Sequence, residues 1–162
     1  MSALPNLGRR AWLRGEQHPG EALRPPPAIA EADFLDRCTR CDACLRACPE
    51  QVLVRGDGGW PEFNPQLGEC SFCMDCSAAC TEGALDPAAA RPWLFTAKLD
   101  VEGCLARQGV HCQTCRDACS HRALQFVISS QPVPPRVQSD FCTGCGGCVA
   151  VCPSNALRLE QP

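Results

Sequence analysis

Short apolar stretches separated by polar, glycine-rich turns predict strands at several points along the chain. Residues 52–54 and 60–63 flank a glycine-rich turn, which indicates a hairpin of two short strands. Residues 123–128 and 135–138 repeat the pattern and predict a second hairpin.

The segments around these hairpins extend the repeat. Residues 93–99 predict a strand ahead of the second hairpin, and residues 156–159 predict its partner near the end of the chain. Residues 29–35, ahead of the first hairpin, are more typical of a helical turn. The chain therefore consists of two similar halves, of which the first lacks an opening strand.

Each predicted hairpin lies between two tight groups of cysteines, and the 16 cysteines of the chain form four such groups. In order along the chain, group 1 is Cys38, Cys41, Cys44 and Cys48, group 2 is Cys70, Cys73, Cys76 and Cys80, group 3 is Cys104, Cys112, Cys115 and Cys119, and group 4 is Cys142, Cys145, Cys148 and Cys152. Groups 1, 2 and 4 share the spacing C-x2-C-x2-C-x3-C, whereas seven residues separate the first two cysteines of group 3. Such internal repetition indicates one structural unit used several times.

A cysteine content this high is typical either of disulfide-stabilised secreted domains or of metal proteins. No apolar segment of a secretory signal follows the start, and cysteines three residues apart suit metal ligation better than disulfide pairing. Without its cysteines only about a third of the chain is hydrophobic, which leaves small domains marginally stable. We therefore expect metal centres to stabilise the fold.

The spacing within the groups indicates which centre is bound. In two-cluster ferredoxins three cysteines of a C-x2-C-x2-C-x3-C run bind one 4Fe–4S cluster, and the fourth binds the neighbouring cluster. Four groups predict four 4Fe–4S clusters, with the groups paired in sequence order across each hairpin. The predicted ligand sets are site 1, Cys38, Cys41, Cys44 and Cys80; site 2, Cys70, Cys73, Cys76 and Cys48; site 3, Cys104, Cys112, Cys115 and Cys152; and site 4, Cys142, Cys145, Cys148 and Cys119.

Two alternatives stay open. A nested arrangement would place groups 2 and 3 inside groups 1 and 4. Structural zinc also uses C-x2-C pairs, but it usually takes two cysteines from each of two separated knuckles, which these crowded groups fit poorly. Cys104 is the weakest predicted ligand because its spacing is irregular, yet without it group 3 has no fourth thiolate.

These patterns predict an α+β fold with two tandem bacterial ferredoxin-like domains, in which small sheets and short helices surround two 4Fe–4S clusters each. We assign residues 31–90 to the first domain and residues 91–162 to the second. Residues 1–30 are expected to form an irregular, basic, proline-rich N-terminal arm. Within it, Pro25 to Pro27 are expected to act as a stiff polyproline-type spacer that holds the arm away from the clusters.

The net charge of −3 is unevenly distributed. Residues 1–30 carry four Arg and two Glu (net +2), residues 31–90 carry four Arg and 11 acids (net −7), and residues 91–162 carry seven Lys or Arg and five acids (net +2). No basic cluster is large enough to indicate nucleic-acid binding. No stretch approaches the ~18 apolar residues of a membrane span.

The sequence contains no pattern of catalytic residues. A Ser/His/Asp set, a glycine-rich phosphate loop and a paired-carboxylate site are all missing. We therefore expect an electron-transfer or accessory protein without catalytic residues, located in the cytoplasm, rather than an enzyme.

The start of the arm has a composition of its own. Arg9 and Arg10 resemble the twin-arginine start of an export signal, but polar, turn-forming residues follow at 15–20, where an export signal needs an apolar segment. Arg and Trp side chains frequently anchor protein interfaces. Arg9, Arg10, Trp12 and Arg14 therefore form a candidate docking element for a partner protein, and the alternative is a basic tail without a partner.

Several motifs also carry a family resemblance. They are Leu7-Gly8-Arg9-Arg10, Arg24-Pro25-Pro26, Phe34-Leu35 ahead of group 1, Arg55-Gly56-Asp57-Gly58-Gly59, Glu69-Cys70-Ser71-Phe72-Cys73, and the long gap from Cys104 to Cys112. With these motifs along nearly its whole length, the chain resembles the NapF family, the ferredoxin-type accessory proteins of periplasmic nitrate reductase.

The resemblance implies a cytoplasmic protein with four 4Fe–4S clusters that binds the precursor of the catalytic subunit of periplasmic nitrate reductase before its export. It further implies a role in assembling or reducing the iron–sulfur cluster of that subunit. The alternative function is a general electron-relay polyferredoxin subunit of a redox enzyme complex. In either case the electron donor is unidentified.

Overall fold

The computed structural model describes residues 22–129 and 131–161. Its helices are α1 (Glu31–Arg37), α2 (Ala43–Ala47), α3 (Asp75–Ala78), α4 (Thr114–Asp117) and α5 (Gly147–Ala150). Its strands are β1 (Leu53–Arg55), β2 (Pro61–Phe63), β3 (Thr96–Leu99), β4 (Leu124–Gln125), β5 (Arg136–Val137) and β6 (Leu157–Glu160). Short 3-10 turns lie at Asp57–Gly59 and Ser139–Phe141. None of the helices in the described part of the chain has the length and hydrophobicity to cross a membrane.

The strands form three small antiparallel sheets of two strands each within the described residues. Strand β1 pairs with β2, β4 pairs with β5, and β3 pairs with β6 over four residues. Both predicted hairpins and the pairing of the outer strands of the second half are confirmed, although β4 is shorter than its apolar stretch. Prolines at positions 132, 134 and 135 have no N–H to donate to a ladder, and so the second hairpin opens early.

The first half has only a trace of the outer sheet. Ala28 forms an isolated bridge with Leu85, and the N–H of Asp86 donates to the carbonyl oxygen of Pro27 at 2.8 Å. Helix α1 follows at once, where the sequence predicts a helical turn. The expected lack of an opening strand is therefore correct, with one residue pair in place of the four-residue ladder of the second half.

The proline segment does not act as a spacer, and this expectation is wrong. Pro25 and Pro27 are fully buried in the first half, and the preceding Arg24 is only 5% exposed. The Arg24 guanidinium pairs with Glu31 at 2.8 Å and lies 5.0 Å over the ring of Phe34. A buried cation needs such partners to offset its lost hydration. These contacts hold residues 24–29 against the first domain, which the sequence pattern predicts to begin at residue 31.

A single hydrophobic core runs through both halves. Phe34 and Val52 of the first half and Val149 and Leu157 of the second belong to one buried cluster, with cysteines from both halves packed against it. Trp93, in the connection between the halves, stacks near Phe95 with ring centroids 4.7 Å apart. The described part of the two domains therefore forms one packed body.

Candidate iron–sulfur sites

Site 1 is a cavity at the surface of the first half. Its walls include Cys38, Cys41 and Cys44 from the loop before α2 and from α2 itself. Cys80, which follows α3 in group 2, completes the lining. The fourth cysteine therefore comes from the other group, as in the cross-stitched pattern.

Site 2 has the same construction with the two groups exchanged. Its cavity is lined by Cys70, Cys73 and Cys76 of group 2 and by Cys48 of group 1. The buried proline segment supplies part of the wall through Pro26 and Pro27. The segment expected to hold the arm away from the clusters thus forms a side of one site.

Site 4, in the second half, repeats this plan. Its cavity is lined by Cys142, Cys145 and Cys148 of group 4 and by Cys119 of group 3. The loop that carries these cysteines is the most buried of the four, because Gly144 and residues 146–149 are all buried. A bound group would be well shielded from water here.

Site 3 is built around the irregular group. Cys115 lies close to Cys152, Cys112 and Cys104, whose thiols all act on its ionisation. Two successive turns at residues 101–110 explain the longer spacing, since the N–H of Cys104 donates to the Val101 carbonyl and the N–H of Arg107 donates to that of Cys104. The extra residues are thus taken up locally, and Cys104 stays near Cys115.

The cysteine loops repeat an unusual backbone conformation. Left-handed φ angles between +54° and +87° occur at the same two positions of groups 1, 2 and 4, namely Arg40 and Asp42, Phe72 and Met74, and Gly144 and Gly146. A left-handed residue other than glycine costs roughly 1–2 kcal/mol. Alternating right- and left-handed residues turn successive backbone N–H groups into one concavity, a geometry that binds anions and many iron–sulfur centres.

The side chains at the strained positions of group 1 are fixed by the first hairpin. Arg40 lies 4.9 Å over the ring of Trp60 and donates to the Gly58 carbonyl. Asp42 forms an ion pair with Arg55 of β1, and the hydrogen bond from that guanidinium lowers the pKa of the carboxyl group. These contacts hold the loop in a conformation that its sequence alone does not favour.

A second repeated turn follows every group. The third residue after the last cysteine has a positive φ in each case, at Gln51, Gly83, Arg122 and Asn155. After groups 3 and 4 this turn directs a backbone N–H to the cysteine sulfur, from Ala123 to Cys119 Sγ and from Ala156 to Cys152 Sγ, both at 3.3 Å. Such bonds stabilise a thiolate and raise the potential of a bound cluster.

The buried thiols of these sites need nearby positive charge in order to ionise. Burial first, and then repulsion from neighbouring thiols, raises the pKa of Cys44 and Cys115 to about 11 and that of Cys76 and Cys148 to about 12. Each site thus contains at least one thiol that ionises at neutral pH only with positive charge nearby. Iron supplies that charge, because metal ligation deprotonates a thiol.

The spacing of the thiols disfavours single metal ions. Among the described residues, no three Cys, His, Asp or Glu side chains are grouped closely enough to hold one ion. Zinc would need its sulfur ligands about 2.3 Å from a common centre. All 16 cysteines are free, with no disulfide between them. Four thiols around a cavity, with a lining of backbone N–H groups, fit an iron–sulfur cluster instead.

Comparison with known proteins agrees with this geometry. Two family profiles, each described as a 4Fe-4S dicluster domain, match residues 37–85 and 109–156. Ferredoxin-type protein NapF of Escherichia coli is 40% identical over 157 residues, which cover 96% of this chain and 95% of that protein. The chain belongs to the NapF family. NapF of Haemophilus influenzae is 37% identical over 169 residues, covering 96% of this chain and 95% of its own.

The chain is also similar to a ferredoxin-type protein with a different name. Methylamine utilization ferredoxin-type protein MauM of Methylorubrum extorquens is 37% identical over 173 residues, covering 94% of this chain and 78% of that protein. As a NapF protein, the chain is thus a ferredoxin-type iron–sulfur protein with two dicluster domains.

Sequence reasoning missed the strained loop positions. A left-handed conformation is not predicted by the residue types at these positions, which are Arg40, Asp42, Phe72 and Met74. The signal lies in the repeat, because group 4 has glycine at both equivalent positions. Alignment of the groups would have transferred the positive φ to groups 1 and 2. The candidate docking residues Arg9, Arg10, Trp12 and Arg14 lie outside the described residues.

Proposed function

We propose that this NapF protein binds four 4Fe–4S clusters, one at each of sites 1 to 4, with the 16 cysteines as ligands. The arrangement of four cysteines at each site, from two groups in every case, supports this number. A bound 4Fe–4S cluster accepts and donates one electron. The surrounding residues hold the thiolates in position, direct backbone N–H groups at sulfur and limit access of water.

Chemical analysis tests the number of clusters. After anaerobic reconstitution, iron and acid-labile sulfide should each approach about 16 per chain, four for every set of four cysteines. Values near eight, or stoichiometric zinc, would contradict the proposal. Removal of the iron should unfold the chain, because metal binding supplies folding free energy in small domains of this kind.

The proposed biological role is maturation of the catalytic subunit of periplasmic nitrate reductase. In this role the chain acts in the cytoplasm, binds the precursor of that subunit before export, and helps to assemble or reduce its iron–sulfur cluster. The observation that carries the proposal is the similarity to NapF proteins over 96% of the chain, well beyond the two dicluster domains. An electron carrier that only had to bind its clusters would not need sequence similarity outside the two cluster-binding domains.

The alternative is a general electron-relay subunit of a redox enzyme complex. The likeness to MauM favours it, because that ferredoxin-type protein belongs to methylamine utilization rather than to nitrate reduction. The two roles differ in what the chain must recognise. A maturation factor binds one precursor specifically, whereas a relay exchanges electrons with a donor and an enzyme.

Capture of partners from the cytoplasm separates the two roles. The tagged, cluster-loaded chain should retain the precursor of the nitrate reductase catalytic subunit, identified by its mass with the export signal still attached. The matched variant Arg9→Gln/Arg10→Gln/Trp12→Ala should bind the precursor more weakly at unchanged iron content, since these residue types anchor interfaces. Arg107→Gln removes an exposed arginine elsewhere and should have no effect.

Three results would count against this role. Capture of only an assembled redox complex would favour the relay. Precursor binding that is unaffected by the triple variant would move the docking surface from the arm to the domains. Recovery of the chain in a periplasmic fraction would contradict the cytoplasmic location.

A further inference from the structure

The two halves meet through the loops of two particular sites. The backbone N–H of Cys70, in the loop of site 2, donates to the carbonyl oxygen of Cys145, in the loop of site 4, at 2.7 Å. This hydrogen bond joins the first cysteine of group 2 to the second cysteine of group 4. It brings cysteines of the two halves into direct backbone contact.

Glycines in the loop of site 4 make this approach close. Gly146 has a φ of +87°, and a Cβ atom there would lie 2.8 Å from Phe63 Cζ and 2.9 Å from Pro65 Cβ of the first half. A Cβ atom at Gly147 would lie 2.8 Å from Glu69 Oε2. Glu69 could move away from a side chain at position 147, but Phe63 and the Pro65 ring leave no space for one at position 146.

An aromatic side chain packs along the same junction. The ring of Trp93 lies 6.4 Å from that of Phe72, in the loop of site 2, and 4.7 Å from that of Phe95, which leads into β3. A Cβ atom at Gly144, in the loop of site 4, would lie 2.6 Å from Trp93 Nε1. Trp93 therefore packs against the loops of both sites at the junction.

Within each half the two sites are also adjacent. Group 1 supplies Cys48 to site 2, and group 2 supplies Cys80 to site 1. Group 3 supplies Cys119 to site 4 in the same way. With the hydrogen bond between Cys70 and Cys145 across the junction, these shared segments join the four sites into one line.

We propose that electrons move through this protein in the order site 1, site 2, site 4, site 3, with sites 2 and 4 as the inner pair that connects the halves. This inference rests on the proposed occupancy of all four sites. One electron from an external one-electron donor enters at one end of the line. Each transfer oxidises the site that the electron leaves and reduces the next one, and no bond is made or broken.

The order differs from the order in the sequence. Sequence order would place site 3 beside site 2, since group 3 follows group 2 along the chain. The fold instead turns group 4 toward the first half through its glycine loop. Group 3 is surrounded by exposed residues, among them His111, Gln113 and Thr114. Site 3 thus lies at an accessible end of the line.

Removal of single sites tests the order through magnetic coupling. In the fully reduced chain each cluster carries an unpaired electron, and neighbouring clusters broaden each other's signals. Cys142→Ala, which removes site 4, should leave site 3 isolated and produce an uncoupled signal of about one spin per chain. Cys112→Ala, which removes site 3, should give no such signal, because sites 1, 2 and 4 stay in line.

The opposite pattern would overturn the proposal, because an uncoupled spin in Cys112→Ala and none in Cys142→Ala is what sequence order predicts. Each variant should lose about four of about 16 irons, one cluster. Iron near eight in the unmodified chain would instead contradict the proposed four clusters. The two failures are therefore distinguishable.

A second pair of variants tests the junction with all ligands in place. Gly146→Ala and Gly109→Ala share nearly the same φ, +87° and +85°, and so introduce similar backbone strain. Only the Cβ atom at position 146 meets the other half, since nothing lies within 4 Å of that at position 109. We expect Gly146→Ala to weaken the coupling between the halves and Gly109→Ala to leave it unchanged. Equal coupling in both variants would overturn the proposal.

Discussion

At the scale of single residues, the cysteine loops depend on side chains that are not ligands. Arg40 and Asp42 hold left-handed conformations that cost free energy, and contacts with Trp60 and Arg55 of the first hairpin offset this cost. In group 4 glycine occupies the same positions and no such contacts are needed. Groups 1 and 4 thus adopt the same backbone conformation, group 1 through side-chain contacts and group 4 through glycine.

Arg24 should be important for stability despite lying outside the domain predicted from the sequence. Its guanidinium is buried and hydrogen-bonded to Glu31 and to the Pro61 carbonyl. Because Arg24→Ala removes a buried side chain and its charged hydrogen bonds to Glu31, it should lower the free energy of unfolding by about 2 kcal/mol. Thermal unfolding of the cluster-loaded chain measures the change. Arg107→Ala, which removes an exposed ion pair, should cost less than about 1 kcal/mol, and equal losses would show that Arg24 has no special role.

Cys104 should be required for site 3 despite its irregular spacing. The turns at residues 101–110 place it beside Cys115, so Cys104→Ala should reduce the iron content from about 16 to about 12 per chain. Gln108→Ala alters the same loop without touching a thiol and should retain all the iron. An unchanged iron content in Cys104→Ala would mean that another group replaces this thiolate.

At the scale of elements, the segment before α1 replaces a sheet that the second half has and the first lacks. In the second half, β3 and β6 close the domain with a four-residue ladder. In the first half, buried prolines and the bridge of Ala28 with Leu85 close the equivalent side. Since Pro26 and Pro27 line the cavity of site 2, this closure is also part of a site.

Two truncations should therefore differ sharply. Deletion of residues 1–21 leaves the buried proline segment intact and should retain about 16 irons per chain, whereas deletion of residues 1–29 opens site 2 and should lose about four or more. Iron analysis and the visible absorption of the clusters provide the measurement. Similar iron contents in the two truncated chains would show that the segment is dispensable for cluster binding.

The sequence predicts most of the elements, because cysteine spacing and period-two apolar stretches are local signals. Both hairpins and the β3–β6 pairing follow from them. The role of Pro25 to Pro27 cannot be predicted from these local signals, since a proline run next to a charged arm has the composition of a linker. Its burial depends on the long-range partners of Arg24, which lie up to 38 residues away in the sequence. The position of group 4 at the junction depends on tertiary packing in the same way.

At the scale of the whole molecule, charge is divided unequally along the proposed line of sites. Residues 31–90, which contain sites 1 and 2, carry a net charge of −7, and residues 91–162, which contain sites 3 and 4, carry +2. A cluster held by four thiolates is an anion, so nearby acids disfavour an added electron. The charge distribution thus favours electron flow from the first half to the second.

We expect the two clusters of the first half to have the lower reduction potentials. One unit charge at ~10 Å, at an effective dielectric constant near 20, changes the reduction free energy by roughly 1.7 kcal/mol, and salt weakens exposed charges. A redox titration followed by electron paramagnetic resonance, with signals assigned through Cys142→Ala and Cys112→Ala, should show sites 3 and 4 reduced first. Asp75→Asn, which removes an exposed acid beside Cys76, should raise the potential of the first half.

Asp117→Asn, an exposed acid of group 3, is the matched control and should act on the second half. Titration of sites 1 and 2 at the higher potentials would reject the charge argument. In that case the N–H bonds to Cys119 and Cys152, which raise the potential of the second half, would be outweighed by some feature of the first half. If the predicted order holds, the acidic half releases electrons toward site 4 across the glycine junction. The reduction potentials and the order of the sites would then both favour electron transfer from the first half to the second.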